Sequence, residues 1–215
     1  MRAGLPHPII RASGALTLAG LVLGTAIPVL AEDEPLVLTP AQQEGPYYPV
    51  EIPADHDADL TVVGEASEVA AGQPLVLEGV LLDSDGTPIE GAVIEIWQTD
   101  ASGVYLHPAD PGFDRRDTAF QGFGASGTDA DGRWAFRTIL PELYGSRPRH
   151  IHAKVKVDDA DVLTTQIYFS GGDIPAEGAL DATGSELDAL LIEAHAATDE
   201  AGAEVLTAAH VLVVP

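Results

Sequence analysis

The feature that most constrains this chain is residues 147–157 (RPRHIHAKVKV), where apolar and polar residues alternate. In a β-strand, successive side chains point to opposite faces. One face would carry Ile151, Ala153, Val155 and Val157, and the other would carry His150, His152, Lys154 and Lys156. Two imidazoles that project together from a rigid strand indicate either part of a metal site or a solvated polar face. The two possibilities differ in whether the chain supplies further metal donors.

The first 31 residues have the pattern of a secretion signal. Arg2 and Arg11 provide a positive start, residues 12–30 are mostly apolar and uncharged, and Ala31 ends a stretch suited to cleavage. A retained membrane anchor is the alternative, but the apolar run is near the lower limit for a membrane span. We therefore expect residues 1–31 to be removed and the protein to be exported to the periplasm or beyond, with no membrane attachment.

The charge balance restricts the possible partners. With 34 acidic residues against 10 Lys and Arg, the formal net charge is −24, which argues against nucleic acid or anionic membranes. All basic residues after Arg11 fall between residues 115 and 156. This cluster is either ordinary surface charge or a local positive field for an anionic ligand. The chain has no Cys, so it cannot form a disulfide.

Short strand-like segments separated by Asp/Gly turns predict an all-β fold, a two-sheet β-sandwich with long functional loops and little helix. The predicted strands include residues 75–82, 92–97, 133–138, 162–169 and 208–214. Residues 186–194 fit a short helix as well as a strand. We expect an extended arm over residues 32–72 and one domain over residues 73–215. Residues 105–127 are predicted to form a long loop, and ordered loops of that length are usually functional.

Tyrosines are the further metal donors that the sequence offers near the histidines. Carboxylates and phenolates are the hard anionic donors that a ferric ion requires in addition to imidazole. The chain has five Tyr, and Tyr144 lies six residues before His150. Tyr105 stands at the start of the long loop. Each of these two tyrosines could equally be a packing residue at a strand end.

An ordered series of motifs resembles the intradiol ring-cleavage dioxygenases, nearest to their protocatechuate 3,4-dioxygenase-like branch and of an exported single-domain type. The arm carries an amino-terminal signature of that family, and the middle of the chain carries its central signature. The matching segments are residues 44–48, 79–83, 86–92, 95–105, 120–122, 128–132, 136–139, 147–152 and 165–169.

The resemblance implies a non-haem Fe(III) bound by Tyr105, Tyr144, His150 and His152. It also implies the reaction: both atoms of O2 enter a catechol-type diol, and the ring opens between the hydroxylated carbons to give a muconate-type diacid. A free Tyr has a pKa of ~10, so a phenolate at neutral pH requires about 4 kcal/mol of preferential binding. A bound trivalent cation can supply it. By its place before the histidines, Tyr144 matches the tyrosine that leaves the metal when substrate binds.

Two further residues match catalytic positions of the family. Arg147 corresponds to the active-site arginine, whose guanidinium stabilises negative charge developing on the ring. Gln166 corresponds to a pocket residue near the reacting oxygen. Their alternatives are a surface salt bridge and an outward-facing strand glutamine. Tyr47 and Tyr48 are expected to pack the arm. The expected partners are the small aromatic substrate and O2, with a homo-oligomer possible.

Two other functions are compatible with parts of the sequence. Residues 73–97 also resemble carboxypeptidase-regulatory-like or transthyretin-like sandwich modules, which bind partners and need neither the tyrosines nor the histidines. A different metal, Zn or Cu, at His150 and His152 would give the two tyrosines no role.

Overall fold

The computed structural model of the protein describes residues 36–171 and 184–215. The predicted secretion signal, residues 1–31, lies outside the described residues. Within the described ranges, no helix is both long and apolar enough to cross a membrane.

In the described residues, nine strands form two packed sheets, which confirms the predicted all-β sandwich with little helix. In chain order the strands are β1 (Pro74–Leu82), β2 (Val93–Trp97), β3 (Phe123–Gly127), β4 (Arg133–Ile139), β5 (His150–Val157), β6 (Ala160–Phe169), β7 (Leu191–Ile192), β8 (His195–Thr198) and β9 (Glu204–Val213). A 3₁₀ turn (Phe113–Arg115) and a single helical turn, α1 (Ser185–Asp188), complete the regular structure of the described residues.

The strand order places the histidine strand at the centre of its sheet. The four-stranded sheet has the order β4-β1-β9-β8, and the five-stranded sheet has the order β3-β2-β5-β6-β7. Strand β5 pairs antiparallel with both β2 and β6. A central strand has hydrogen-bonded neighbours on both sides, so its side chains are held at fixed positions in the sheet.

The core lies between the two sheets and takes alternate side chains from the longer strands. Leu77 and Phe136 come from the four-stranded sheet, and Ile94, Ile151 and Ile167 come from the five-stranded sheet, all at most 2% exposed. Ile151, Ala153 and Val155 therefore occupy the core face, as the period-two pattern predicted. The histidines consequently lie on the opposite, outer face of the five-stranded sheet.

The structure corrects one feature of the sequence interpretation and resolves another. The last five residues of the predicted loop 105–127 form strand β3, an edge strand paired with β2. Its sequence, FGASG, lacks the alternation of apolar residues that indicates a strand, because most of its side chains are small. In the ambiguous segment 186–194, a helical turn and strand β7 follow one another.

The described part of the predicted arm, residues 36–72, contains neither helix nor strand and lies against the sandwich. Its backbone amides at Thr39, Gln42 and Leu60 donate to carbonyls of Val213, Thr164 and Arg137. Leu60 is fully buried in the core. Residues 56–60 also bond to β3 and β4, so the arm covers an edge of each sheet and satisfies backbone groups that would otherwise be unpaired.

Two buried carboxylates organise the long loop after β2. Asp100 is 2% exposed, and its Oδ1 accepts hydrogen bonds from the amides of Ser102 and Val104. Asp110 is 5% exposed and accepts from the amide of Tyr105 at 3.0 Å. Because each carboxylate replaces lost water contacts with backbone N–H donors, the loop holds a fixed conformation without regular secondary structure.

A row of three residues crosses the four-stranded sheet beside the core: Trp134 on β4, Gly79 on β1 and His210 on β9. A Cβ on Gly79 would lie 2.1 Å from the His210 carbonyl oxygen and 2.5 Å from the Trp134 ring, so only glycine fits there. His210 Nε2 is buried and has no hydrogen-bond partner. Burial therefore lowers the pKa of His210 to about 4.

We expect His210 to make the protein sensitive to acid. An unfolded histidine has a pKa of ~6.5, so between about pH 6.5 and 4 the unfolded chain binds more protons than the folded one. Stability contributed by neutral His210 is therefore lost as the pH falls through that window, by about 2 kcal/mol at pH 4.5. Urea unfolding of the metal-free protein at pH 7 and 4.5 measures the total pH dependence, and comparison with a His210 variant isolates this share.

The variant His210→Leu should reduce the loss of unfolding free energy between the two pH values by about 2 kcal/mol. His195→Leu, at an exposed position on β8, is the matched control and should leave the pH dependence as in the unaltered chain. Equal pH dependence in the His210 variant and the unaltered chain would contradict the assignment.

Candidate metal centre

The predicted site residues of the strands lie in two adjacent rows on the outer face of the five-stranded sheet. Trp97, His152 and Gln166 are paired across β2, β5 and β6, and His150 is paired with Tyr168. His150 is 4% exposed and His152 is 3% exposed, because the arm and the long loop cover this face. A solvated polar face, the alternative interpretation of the two histidines, is therefore wrong.

The imidazoles of His150 and His152 both direct Nε2 at the hydroxyl of Tyr105. The distances to that oxygen are 3.0 Å from His150 and 3.2 Å from His152. His150 Nδ1 lies 2.6 Å from the Pro148 carbonyl oxygen, which can only accept a hydrogen bond, so the His150 proton is on Nδ1. Its Nε2 therefore presents a lone pair to Tyr105.

Whichever nitrogen of His152 carries the proton, one buried polar atom of this cluster has no hydrogen-bond partner. Tyr105 has one hydroxyl proton, and His150 Nε2 is an acceptor. If His152 carries its proton on Nδ1, two acceptors compete for that single proton, and the Nδ1 proton is buried without a partner. If the proton is on Nε2, Nδ1 becomes a buried acceptor without a partner. A bound cation would satisfy the three converging atoms together.

Burial sets the protonation of these groups in the metal-free protein. It lowers the pKa of His150 to about 4, and it lowers the pKa of His152 well below its ordinary value. Burial also raises the pKa of Tyr105 and of Tyr144. At neutral pH the imidazoles are therefore uncharged and the phenols protonated, so a metal need displace protons only from the tyrosines.

The turn at residues 100–104 brings Tyr105 next to Tyr144. Gly103 has a φ of +76°, and a Cβ there would lie 2.6 Å from the Leu143 carbonyl oxygen. The Tyr105 and Tyr144 rings then pack edge to face with centroids 5.3 Å apart. The Tyr144 hydroxyl, however, is hydrogen-bonded to the Tyr47 hydroxyl at 2.5 Å. The Tyr105 oxygen and the two imidazole Nε2 atoms, three of the four predicted donors, thus lie together. The fourth, Tyr144, lies beside Tyr105.

Arg147 and Gln166 also reach the site. The Arg147 guanidinium donates to Gln166 Oε1 at 2.7 Å and contacts the Tyr168 hydroxyl at 3.4 Å, so its partners here are uncharged. Gln166 in turn donates through Nε2 to the Gln43 carbonyl. The Arg147 charge also lowers the pKa values of His150 and His152, in addition to the larger effect of burial.

The other basic side chains of β4, β5 and the preceding loop are paired with acids rather than gathered around a ligand. The pairs are Arg133 with Asp131, Arg137 with Asp199, Arg149 with Glu142, Lys154 with Glu44 and Asp161, and Lys156 with Glu95 and Asp161. The clustering of positive charge in the sequence therefore does not produce a single positive field in the fold.

The donor set fits a hard, highly charged cation. Two neutral imidazoles and the oxygens of two tyrosines combine nitrogen donors with potential anionic oxygen donors, as ferric iron prefers. Among residues 36–171 and 184–215, no group of three or more His, Cys, Asp or Glu side chains is placed to hold a metal ion. At this centre the tyrosine oxygens would complete the donor set begun by the histidines.

Two residues outside the predicted donor set also build this centre. The Tyr47 ring stacks on Tyr105 at 4.9 Å between centroids, in addition to its hydroxyl bond with Tyr144. Trp97 stacks on the His152 imidazole at 4.8 Å with an interplanar angle of 12°. Tyr47 lies in the amino-terminal motif, which is a sequence signal for a role at the site. The role of Trp97 depends on the pairing of β2 with β5, which places it beside His152.

The chain was compared with protein families and with individual proteins. A family model described as Dioxygenase matches residues 43–212. The protocatechuate 3,4-dioxygenase beta chain of Burkholderia cepacia is 36% identical over 137 residues, which are 60% of this chain and 58% of that protein. Catechol 1,2-dioxygenase 1 of Acinetobacter lwoffii is 35% identical over 167 residues, which are 69% and 52%. The chain thus spans somewhat over half the length of these relatives.

Solved structures of two dioxygenases are similar to this chain. The dioxygenase domain of a dioxygenase–carbohydrate-binding protein fusion from Streptomyces sp. SirexAA-E superposes with a TM-score of 0.61 and 31% identity, covering 82% of this chain and 97% of that one. Catechol 1,2-dioxygenase from Acinetobacter sp. ADP1 superposes with a TM-score of 0.63 and 27% identity, covering 82% and 62%.

Proposed function

This chain belongs to the intradiol ring-cleavage dioxygenase family, and on that premise we propose that it is an Fe(III) enzyme acting on a catechol-type diol. Both atoms of O2 would enter the substrate, and the ring would open between the hydroxylated carbons to give a muconate-type diacid. The observation that carries this proposal is the Tyr105 hydroxyl placed within 3.2 Å of both imidazole Nε2 atoms. A partner-binding sandwich module would leave this buried cluster without a role.

In the proposed enzyme, Tyr105, Tyr144, His150 and His152 would hold the iron. When bound, Fe(III) supplies a Lewis-acid centre that chelates the diol and promotes loss of its protons. The Pro148 carbonyl keeps the His150 lone pair directed at the site through Nδ1. Trp97 restricts rotation of the His152 ring by stacking on it, since His152 Nδ1 has no hydrogen-bond partner.

Tyr144 is the protein group best placed to take a proton from the substrate. It is half-buried, and its hydroxyl already has a hydrogen-bond partner, Tyr47, outside the cluster of Tyr105 and the two histidines. That bond would therefore stabilise Tyr144 as a neutral phenol once it has taken up a proton. Burial, with the Tyr47 hydrogen bond next, raises the pKa of Tyr144, which favours the protonated form.

Arg147 and Gln166 would act on the substrate after it binds. The guanidinium is permanently charged and is oriented by Gln166, so it can stabilise negative charge on the ring without reorganising. The arm and the loop cover the site and exclude water, which strengthens the attraction between the guanidinium and negative charge on the ring.

We also propose that the protein is exported after removal of residues 1–31.

Export can be tested by expressing the full chain in a bacterial host and sequencing the amino terminus of the protein recovered outside the cytoplasm. We expect the mature protein to begin at Glu32, because Ala31 ends the apolar segment at a small residue. A protein retained in the cytoplasm with Met1 intact would contradict the export proposal, without bearing on the catalytic one.

Loading the purified protein with ferric iron should give a reddish colour from tyrosinate-to-iron charge transfer. Adding catechol should shift the visible band, and O2 consumption should match the diacid formed one to one. A panel of catechol, protocatechuate and hydroxyquinol then ranks substrates by kcat/KM. A colourless protein that binds zinc stoichiometrically, or no metal, would refute the proposal.

Replacing Tyr144 with Phe removes one phenolic oxygen and keeps the ring that packs on Tyr105. We expect the charge-transfer band of the ferric protein to shift and kcat to fall by about 10²–10³-fold, since a metal ligand and a proton acceptor are lost together. Leu143→Ala, at the exposed neighbouring position, is the control and should alter neither. An unchanged spectrum and rate in Tyr144→Phe would remove Tyr144 from the ligand set.

A further inference from the structure

The ammonium group of Lys154 lies beneath the arm and has three partners. Its Nζ is 2.7 Å from Glu44 Oε2, 3.5 Å from Asp161 Oδ2 and 3.9 Å from the centre of the Tyr48 ring. The Lys154 side chain is 7% exposed, whereas those of Glu44 and Asp161 are about half exposed. A lysine that is buried to this degree is stabilised by its ion pairs and by the face of the aromatic ring.

Two of these partners bracket the part of the arm that covers the metal centre. Glu44 and Tyr48 are the ends of residues 44–48, which we call the covering segment. Between them, Gly45 lies so close to His152 that a Cβ would be 3.4 Å from the imidazole Cε1. Tyr47 stacks on Tyr105 and hydrogen-bonds to Tyr144. One cation thus contacts both ends of a segment whose middle faces the proposed ligands.

The covering segment has no regular secondary structure, so its position depends on such anchors. The preceding residues are attached separately to β6, because Gln42 donates its amide to the Thr164 carbonyl and Gln166 donates to the Gln43 carbonyl. Those bonds end at residue 43. From residue 44 onward, Lys154 supplies the charged contact between the arm and the strand that carries both histidines.

We propose that Lys154 is a positioning residue, which fastens the covering segment at both ends and thereby holds Gly45 and Tyr47 against His152, Tyr105 and Tyr144. The catalytic consequence rests on the proposed function, because it requires iron and substrate at that centre. The fastening itself is a property of the metal-free protein and can be measured without either.

Lys156 offers a matched control on the same face of the same strand. Its Nζ pairs with Glu95 Oε1 at 2.7 Å and with Asp161 Oδ1 at 3.9 Å. Its link to the covering segment is indirect, through Glu95, whose other carboxylate oxygen accepts the Tyr48 hydroxyl at 2.8 Å. Lys154→Met and Lys156→Met therefore remove the same charge, but only the first removes a direct contact with residues 44–48.

The first measurement is the rate at which chymotrypsin cuts the folded, metal-free protein after Tyr47, followed by mass spectrometry. Tyr47 must leave Tyr105 and Tyr144 to be cut, so the rate reports the fraction of molecules with the segment released. We expect Lys154→Met to raise the rate about tenfold, Lys156→Met to raise it less than threefold, and Lys154→Arg to restore most of the protection. Equal rates for Lys154→Met and Lys156→Met would overturn the proposal.

Glu44→Gln tests the same contact from the exposed partner, so it remains informative if Lys154→Met fails to fold. Glu44→Gln should raise the cleavage rate. In the double variant that combines it with Lys154→Met, the increase should be much smaller than the product of the two single increases, because both substitutions remove the same ion pair. Effects that multiply fully would show that Lys154 and Glu44 act independently and would overturn the proposal.

The second measurement uses the ferric protein. With the segment released, Lys154→Met should raise KM for catechol several-fold more than it lowers kcat, and Lys154→Arg should recover the KM. Lys156→Met should leave KM within twofold of the unaltered chain. An unchanged KM in Lys154→Met, with Tyr47 nevertheless released, would overturn the positioning role. If the unaltered chain shows no ferric band or O2 uptake, the proposed function fails instead, and the cleavage result stands by itself.

Discussion

The proposed metal centre is organised around the Tyr105 hydroxyl, whose single proton lies between two buried imidazole nitrogens. The Tyr105 hydroxyl is within 3.2 Å of both Nε2 atoms, and the Pro148 carbonyl fixes one of them as an acceptor. Leaving a buried polar atom unsatisfied costs about 1–3 kcal/mol. Other contacts of the fold offset that cost: β5 is hydrogen-bonded to a strand on each side, and the buried carboxylates of the loop bind backbone amides. A bound ferric ion would coordinate the phenolic oxygen and both Nε2 atoms, so the nitrogens would no longer compete for that proton.

The sequence contained the parts of the fold and site that follow from local periodicity. The alternation in residues 147–157 correctly assigned Ile151 to the core and the two histidines to one outer face. It could not show that this face is covered, because the covering groups lie far away in the chain. Gly103 approaches the carbonyl of Leu143, and Lys154 pairs with Glu44, 110 positions earlier. Strand β3 was missed since its small residues carry no periodic signal.

Basic side chains are few in this chain, and those near the proposed metal centre each contact specific partners. In a chain with a formal net charge of −24, basic side chains readily find carboxylates, and Lys154 and Lys156 share Asp161 while reaching Glu44 and Glu95. Burial alone would lower the pKa of Lys154, but the hydrogen bond and charge of Glu44 outweigh it and raise that pKa. Arg147 differs, because its guanidinium donates to the neutral side chains of Gln166 and Tyr168.

The centre lies on the outer face of a sheet, so the residues that stabilise the fold are different from those that would surround a substrate. The core between the sheets is formed by Leu77, Phe136, Ile151 and similar residues, whose side chains lie on the opposite side of the five-stranded sheet from the two histidines. The walls of the centre are the arm and the loop after β2, which are irregular and are attached by individual polar contacts. Changes in those two segments can therefore reshape the space above Tyr105 and Tyr144 while the strand that fixes the histidines stays as it is. In the proposed enzyme, substrate choice would then follow from the covering elements rather than from the sandwich.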